Sequence, residues 1–173
     1  ENPIWFDDAR ASLVMGEPGL VNGDFETGDF TGWGGTGDNV VAAPAVGANS
    51  GSFAAQLTTM GGGNVADVAQ ALLANPGDEI NLSVWLLTEA PLPAGASFGL
   101  AKIVFRDSLG NDLIPDSASI GVINTEFPGF ESQPFLNDAS RVNSWEFSEA
   151  QFFAPAGTAE VRRLLLNVDF AGG

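Results

Sequence analysis

The chain of 173 residues contains no cysteine, no histidine and no tyrosine, and its 22 acidic residues face only six basic ones. Without cysteine there is neither a disulfide framework nor a thiolate metal site. Without histidine the commonest general base, the usual transition-metal ligand and the Ser-His-Asp triad are all excluded. A net charge of −16 repels phosphate backbones and anionic lipid, so nucleic acid is ruled out as a partner and a membrane surface is disfavoured. No run of roughly 18 apolar residues occurs, so insertion into a membrane as a helix is not expected. No signal peptide is visible, as in a mature chain that has lost one.

What is present is glycine, at 22 residues, and an acidic excess with a single lysine. Such a surface suits calcium-rich or saline surroundings, where cations screen self-repulsion, and it equally serves solubility. The profile is that of secreted bacterial β-proteins, which places the expected location outside the cell or at its surface.

Short alternating runs separated by Gly, Pro, Asn and Asp dominate the chain, the signature of an all-β, antiparallel two-sheet β-sandwich. In "EINLSVWLL" (79–87), Ile80, Leu82, Val84 and Leu86 share one face while Asn81, Ser83 and Trp85 share the other. "SFGLAKIVFRD" (97–107) and "AEVRRLLLNVDF" (159–170) are apolar enough to be central strands, and 52–59 and 65–74 fit shorter ones. The last has helical propensity, but "NPGDE" follows at once and punctuates it as a strand before a turn. "DSLGND" (107–112) is a hairpin turn in which Gly110 or Asn111 takes positive φ, and "APAGTA" (154–159) is another turn. The stretch 124–141 is the longest without periodicity, and loops of that length are usually functional.

"VNGDFETGDFTGW" (21–33) is similar to the Asn-Gly-x-Phe-Glu…Gly-Trp opening of carbohydrate-binding modules with a β-jelly-roll fold. "NSGSFAAQL" (49–57) and "VAQALLANPGDEINLSVWL" (68–86) resemble the segments that follow in that family, with Ile80 where a tyrosine is common. "VFRDSLGNDL" and "WEFSEAQFFAPAGTAEVRRLLL" resemble its later strands. The family closes with an aromatic-aliphatic-Asp-Asp-aliphatic strand, and here that element stands at the front, as "IWFDDARA" (4–11). The resemblance therefore implies a jelly roll with its closing strand moved to the N-terminus: residues 1–19 as displaced strand plus connector, residues 20–173 as the jelly-roll domain. Such a strand can be seated in cis, as in a circular permutant. It can instead complete the sheet of the next copy in trans, which propagates into a filament. Or it can be the tail of a preceding tandem domain. The partners expected on this reading are copies of the chain or neighbouring domains, in a non-catalytic structural or self-assembling role.

The same resemblance implies a structural calcium ion. Its ligands carry over as Glu26 with one of Asp7 or Asp8, joined by a carbonyl near Asp24 and by groups between Asn49 and Ser52. Calcium takes about six to eight hard oxygens, which carboxylates and carbonyls supply. Strand alternation points Asp7 and Asp8 to opposite faces, so only one of them is expected at the ion.

The alternative function is polysaccharide binding, which uses exposed aromatic platforms. The tryptophans Trp5, Trp33, Trp85 and Trp145 all match scaffold positions of the family. That leaves phenylalanines as candidates, Phe127, Phe130 and Phe135 in the long loop above all, with Phe152 and Phe153 behind them. Cleavage of a glycosidic bond needs two facing carboxylates about 5–9 Å apart. Some pair among 22 acids always meets that spacing, so with no convergent motif enzyme activity is not expected. The rare cations Lys102, Arg106, Arg162 and Arg163 are each expected to pair with a local carboxylate at little energetic gain.

Overall fold

The computed structural model describes residues 3–13, 19–59, 65–94, 97–114, 122–124, 129–131 and 136–169. Every regular element among them is a strand: β1 (Ile4–Leu13), β2 (Gly34–Thr36), β3 (Val40–Ala42), β4 (Ala54–Leu57), β5 (Val65–Leu73), β6 (Glu79–Thr88), β7 (Ser97–Arg106), β8 (Asp112–Leu113), β9 (Val122–Asn124), β10 (Gly129–Glu131), β11 (Glu146–Phe153) and β12 (Glu160–Asp169). They form two antiparallel sheets. One has five strands in the order β11-β6-β1-β4-β3, and the other has seven in the order β2-β5-β12-β7-β10-β9, with β8 beside β7. The expected all-β sandwich is what the chain forms.

β1 lies between β6 and β4, pairing Phe6 with Leu86 on one side and with Ala55 on the other. β1 is thus the middle strand of the five-stranded sheet. Ile4 and Phe6 are fully buried in the core shared by the two sheets, and each contributes about 1.5–3 kcal/mol by leaving water. Gly99 is small for a related reason: a Cβ there would run into Ile4.

The alternation read in β6 holds. Ile80, Leu82, Val84 and Leu86 enter the core, while Asn81, Ser83 and Trp85 stay partly exposed on the outer face. Residues 65–73 are a strand despite their helical propensity, because the run pairs with β12 along its whole length, from Val65 to Leu73. Tertiary pairing overrides intrinsic preference here. The 107–111 turn closes through Asp107, whose carboxylate accepts the amides of Leu109 and Asn111, with Gly110 at φ +83°.

Arg163 departs from expectation. It shares the inward parity of Val161 and Leu165 on β12, so its guanidinium sits inside the sandwich at 1% exposure. All three of its nitrogens lack a hydrogen-bond partner, and burial alone pulls its pKa down to about 10. Two consecutive arginines in a strand cannot both face solvent, because successive side chains alternate. Arg106 does find its carboxylate, with Nε 2.7 Å from Asp112.

Candidate functional site

Two neighbouring features occupy the outer side of the five-stranded sheet. The first begins with a bulge in β1, where the register against β6 shifts between Asp7 and Arg10 and Asp8 adopts φ +48°. A bulge adds one residue to a strand and re-aims the side chains around it. Alternation therefore fails at this point, and both carboxylates turn to the same loop. Asp7 Oδ2 accepts the amide of Ser50 at 3.0 Å, and Asp8 Oδ2 accepts Asn49 Nδ2 at 3.0 Å. The expectation that the two acids point to opposite faces is corrected by the bulge.

Glu26 reaches the same loop from the opening motif. Its Oε1 accepts the amides of Ser52 and Phe53, both at 2.8 Å, and its carboxylate lies where a Cβ on Gly51 would stand. Gly51 is at φ +61°, a left-handed conformation at which any side chain would also meet Glu26. Asp24 serves the turn itself, its Oδ1 accepting the Glu26 amide at 3.3 Å. Of the four non-glycine residues with positive φ among those described, Asp8, Asn22 and Phe25 all belong to this corner. The corner is tied to β1 by the Ala9 amide, which donates to the Gly23 carbonyl at 2.8 Å. Phe25 and Trp33 pack under it with ring centroids 5.5 Å apart, and the Trp33 indole N–H donates to the Asn22 carbonyl.

The structure thus brings Asp7, Asp8, Glu26, Asn49 and Ser52 to one loop, with Asp24 adjoining. Asp7 is fully buried, and its pKa is raised to about 6, first by burial and then opposed by the amides of Ser50 and Asp8. Among the described residues no group of three or more His, Cys, Asp or Glu side chains is arranged to hold a metal ion. The carboxylate oxygens are hard donors of the kind calcium takes, but the loop meets them with N–H groups, from Asn49, Ser50, Ser52 and Phe53, and not with carbonyl oxygens.

The second feature lies directly across the strand. Asp7 pairs in register with Trp85 on β6, and Trp85 with Phe147 on β11. The Trp85 and Phe147 rings meet with centroids 5.1 Å apart and planes tilted by 51°, and Phe147 is 42% exposed. Along the same outward face run Glu149 opposite Ser83, then Gln151 opposite Asn81, then Phe153 opposite Glu79. Glu79 Oε1 accepts an N–H from Asn81 and another from Gln151. Aromatic rings beside a ladder of hydroxyl, amide and carboxylate groups form a surface that offers both stacking and hydrogen bonding to a flat polar ligand.

Tryptophan roles divide accordingly. Trp5 and Trp33 are buried, and Trp145 is pinned by its indole N–H to the Gly47 carbonyl. Trp5 donates to Glu89 Oε2 at 3.0 Å and packs with Ala54 and Leu87 in a small separate cluster. Trp85 lies partly exposed on the outer face of β6. Of the phenylalanines expected to bind a ligand, Phe127 and Phe135 lie outside the described residues, as does the side chain of Phe130. Phe152 is a core residue at 0% exposure. Phe147 was missed, although "EFSEAQFF" alternates in a way that sets it beside Glu149 and Gln151.

Solved structures share this fold at low sequence identity. The enzymatically active domain of tailspike protein 4 from Bacteriophage CBA120 aligns with a TM-score of 0.56 at 15% identity, over 87% of this chain and 19% of that one. The chain therefore spans about a fifth of that protein. The CBM22-1 xylan-binding domain from Paenibacillus barcinonensis Xyn10C aligns with a TM-score of 0.45 at 18% identity, over 84% of this chain and 86% of its own. TmCBM61, solved in complex with β-1,4-galactotriose, aligns with a TM-score of 0.37 at 18% identity, over 88% of each chain. No family model matches the sequence, and no curated protein matches it.

Proposed function

We propose that this chain is a non-catalytic polysaccharide-binding module of an extracellular protein, and that it grips its glycan on the outer face of the five-stranded sheet. The observation that carries this reading is the Trp85–Phe147 pair, partly open to solvent and continuous with the row Glu149, Ser83, Gln151, Asn81 and Glu79. Ring faces cover the apolar faces of sugar rings, and the polar row meets their hydroxyls. The resemblance of the opening motif to carbohydrate-binding modules supports the same reading. Binding is proposed on this face, while the long-loop phenylalanines Phe127 and Phe135 lie outside the described residues, as does the side chain of Phe130.

The carboxylate corner is assigned a supporting role. Asp7, Asp8 and Glu26, with the turn at Asp24, would hold calcium once the 49–52 loop turned oxygens toward them in place of the N–H groups it presents. An ion there would neutralise charge beside the platform and stiffen the loop next to Asp7, the cross-strand neighbour of Trp85. Affinity electrophoresis on a broad panel of plant and algal polysaccharides tests the function. Retardation by at least one glycan is expected, and Trp85→Ala or Phe147→Ala should weaken it roughly 10- to 100-fold, the worth of one ring's burial. Absence of retardation across the panel, or retardation indifferent to both substitutions, would overturn the reading.

A further inference from the structure

Resting on the glycan-binding reading, one residue on the face carries a further consequence. A carboxylate can only accept hydrogen bonds, so any side-chain amide that approaches it must present its NH2 end. Glu79 Oε1 takes such bonds from both Asn81 and Gln151, which are cross-strand neighbours, and so fixes the orientation of two amides at once. Among the described residues neither amide's carbonyl oxygen has a partner of its own. With Glu149 exposed on the same strand as Gln151, the polar half of the face is dominated by acceptors. Arg10, the cation across from Ser83, is exposed, and its 3.5 Å contact with Asp8 is a solvent-screened surface pairing.

We propose that this face selects neutral, hydroxyl-rich glycans and rejects anionic ones, and that Glu79 sets the preference by locking the Asn81 and Gln151 amides with their carbonyl oxygens available. Sugar hydroxyls donate to such acceptors. The carboxylate of a uronic acid and the sulfate of a sulfated sugar are acceptors only, so they meet unpaired lone pairs and like charge, and both interactions are unfavourable. Glu79 is a positioning residue in this scheme, acting through the amides it orients.

The test compares binding of the intact chain to three neutral polysaccharides (mixed-linkage β-glucan, mannan and galactan) and two anionic ones (polygalacturonate and alginate) at fixed ionic strength. Selectivity, the ratio of neutral to anionic affinity, is the readout. The wild type should favour a neutral glycan at least roughly tenfold, the worth of about one hydrogen bond to a charged group. Glu79→Gln can present a donor, frees both amides to turn, and should reduce that ratio severalfold with the melting temperature unchanged. Gln151→Leu removes one acceptor, leaves the carboxylate in place, and should reduce neutral affinity alone, so it reads the proposal even where E79Q folds poorly. Wild-type binding to the anionic polymers through Trp85 would overturn the selectivity and leave the binding reading intact. Neutral binding whose ratio ignores both substitutions would overturn the role of Glu79. Failure to bind all five, with a W85A variant indistinguishable from wild type on the wider panel, would overturn the underlying function itself.

Discussion

Replacing Arg163 by methionine should stabilise the protein. The guanidinium sits inside the sandwich at 1% exposure with Nε, Nη1 and Nη2 all unpaired. Burial pushes its pKa from the ordinary guanidinium range down to about 10, which at about 1.4 kcal/mol per tenfold is a penalty of roughly 3 kcal/mol on the charged form. Because the folded-state pKa of this base is depressed, the penalty is complete below about pH 10 and lifts only as the pH climbs toward the unfolded value. Solvent pH in the neutral range cannot relieve it, so the test must be a substitution. Methionine keeps an unbranched stem of similar reach and carries no group that needs solvation. Exchange of buried charge for well-packed apolar side chains typically gains about 1–4 kcal/mol. For a chain of this length that corresponds to a melting temperature higher by roughly 2–4 °C per kcal/mol. Urea unfolding at pH 7 should show a higher midpoint with an unchanged slope. Arg163→Ala is the control, since it removes the charge but leaves a void and so forfeits part of the gain. An R163M protein less stable than wild type by more than about 1 kcal/mol would mean that the guanidinium is compensated by a buried water or anion, and the desolvation argument would fall.

The sandwich was legible because its strands obey a period of two. Ile80 to Leu86 against Asn81 to Trp85 divided correctly into inner and outer faces, and "IWFDDARA" read as a strand in its own right. Legibility failed where alternation met something it does not encode. At Asp8 a left-handed residue inserts a bulge, and no spacing rule announces that two adjacent aspartates will serve one loop. At Arg163 the charge argues for exposure, and the inward parity with Val161 and Leu165 prevails. Trp85 had already been placed on the polar face with Asn81 and Ser83. Its partial exposure on that face follows from the alternation alone. The partnership with Phe147 depends on the register between β6 and β11, roughly 60 residues apart in the chain, which a one-residue slip would abolish.

Three further outcomes follow from the same geometry. Gly51→Ala should cost about 1–3 kcal/mol from strain and from collision with Glu26. The cost should shrink in a G51A/E26A double variant, and strict additivity in urea titrations would refute the contact. Glu26→Ala alone, which strips the acceptor from the Ser52 and Phe53 amides, should destabilise by about 1–2 kcal/mol and raise amide exchange at those two positions selectively; uniform exchange changes would count against it. The third outcome concerns Asp7. Its carboxyl is raised from 3.8 to about 6, chiefly by burial, so the fold favours the protonated acid. The resulting penalty is absent below about pH 4, grows as the pH rises, and is complete above about pH 6, amounting to roughly 3 kcal/mol. In chelator, wild type should therefore lose stability between pH 4 and pH 7 relative to Asp7→Asn, which cannot ionise. Calcium binds the ionised form, so adding it in the millimolar range should flatten that difference and stabilise wild type at pH 7 but not D7N. Equal pH profiles for wild type and D7N in chelator would remove Asp7 as the titrating group. A wild type indifferent to calcium at pH 7 would remove the metal from the corner, because a buried carboxylate whose ionisation costs this much has the most to gain from a cation.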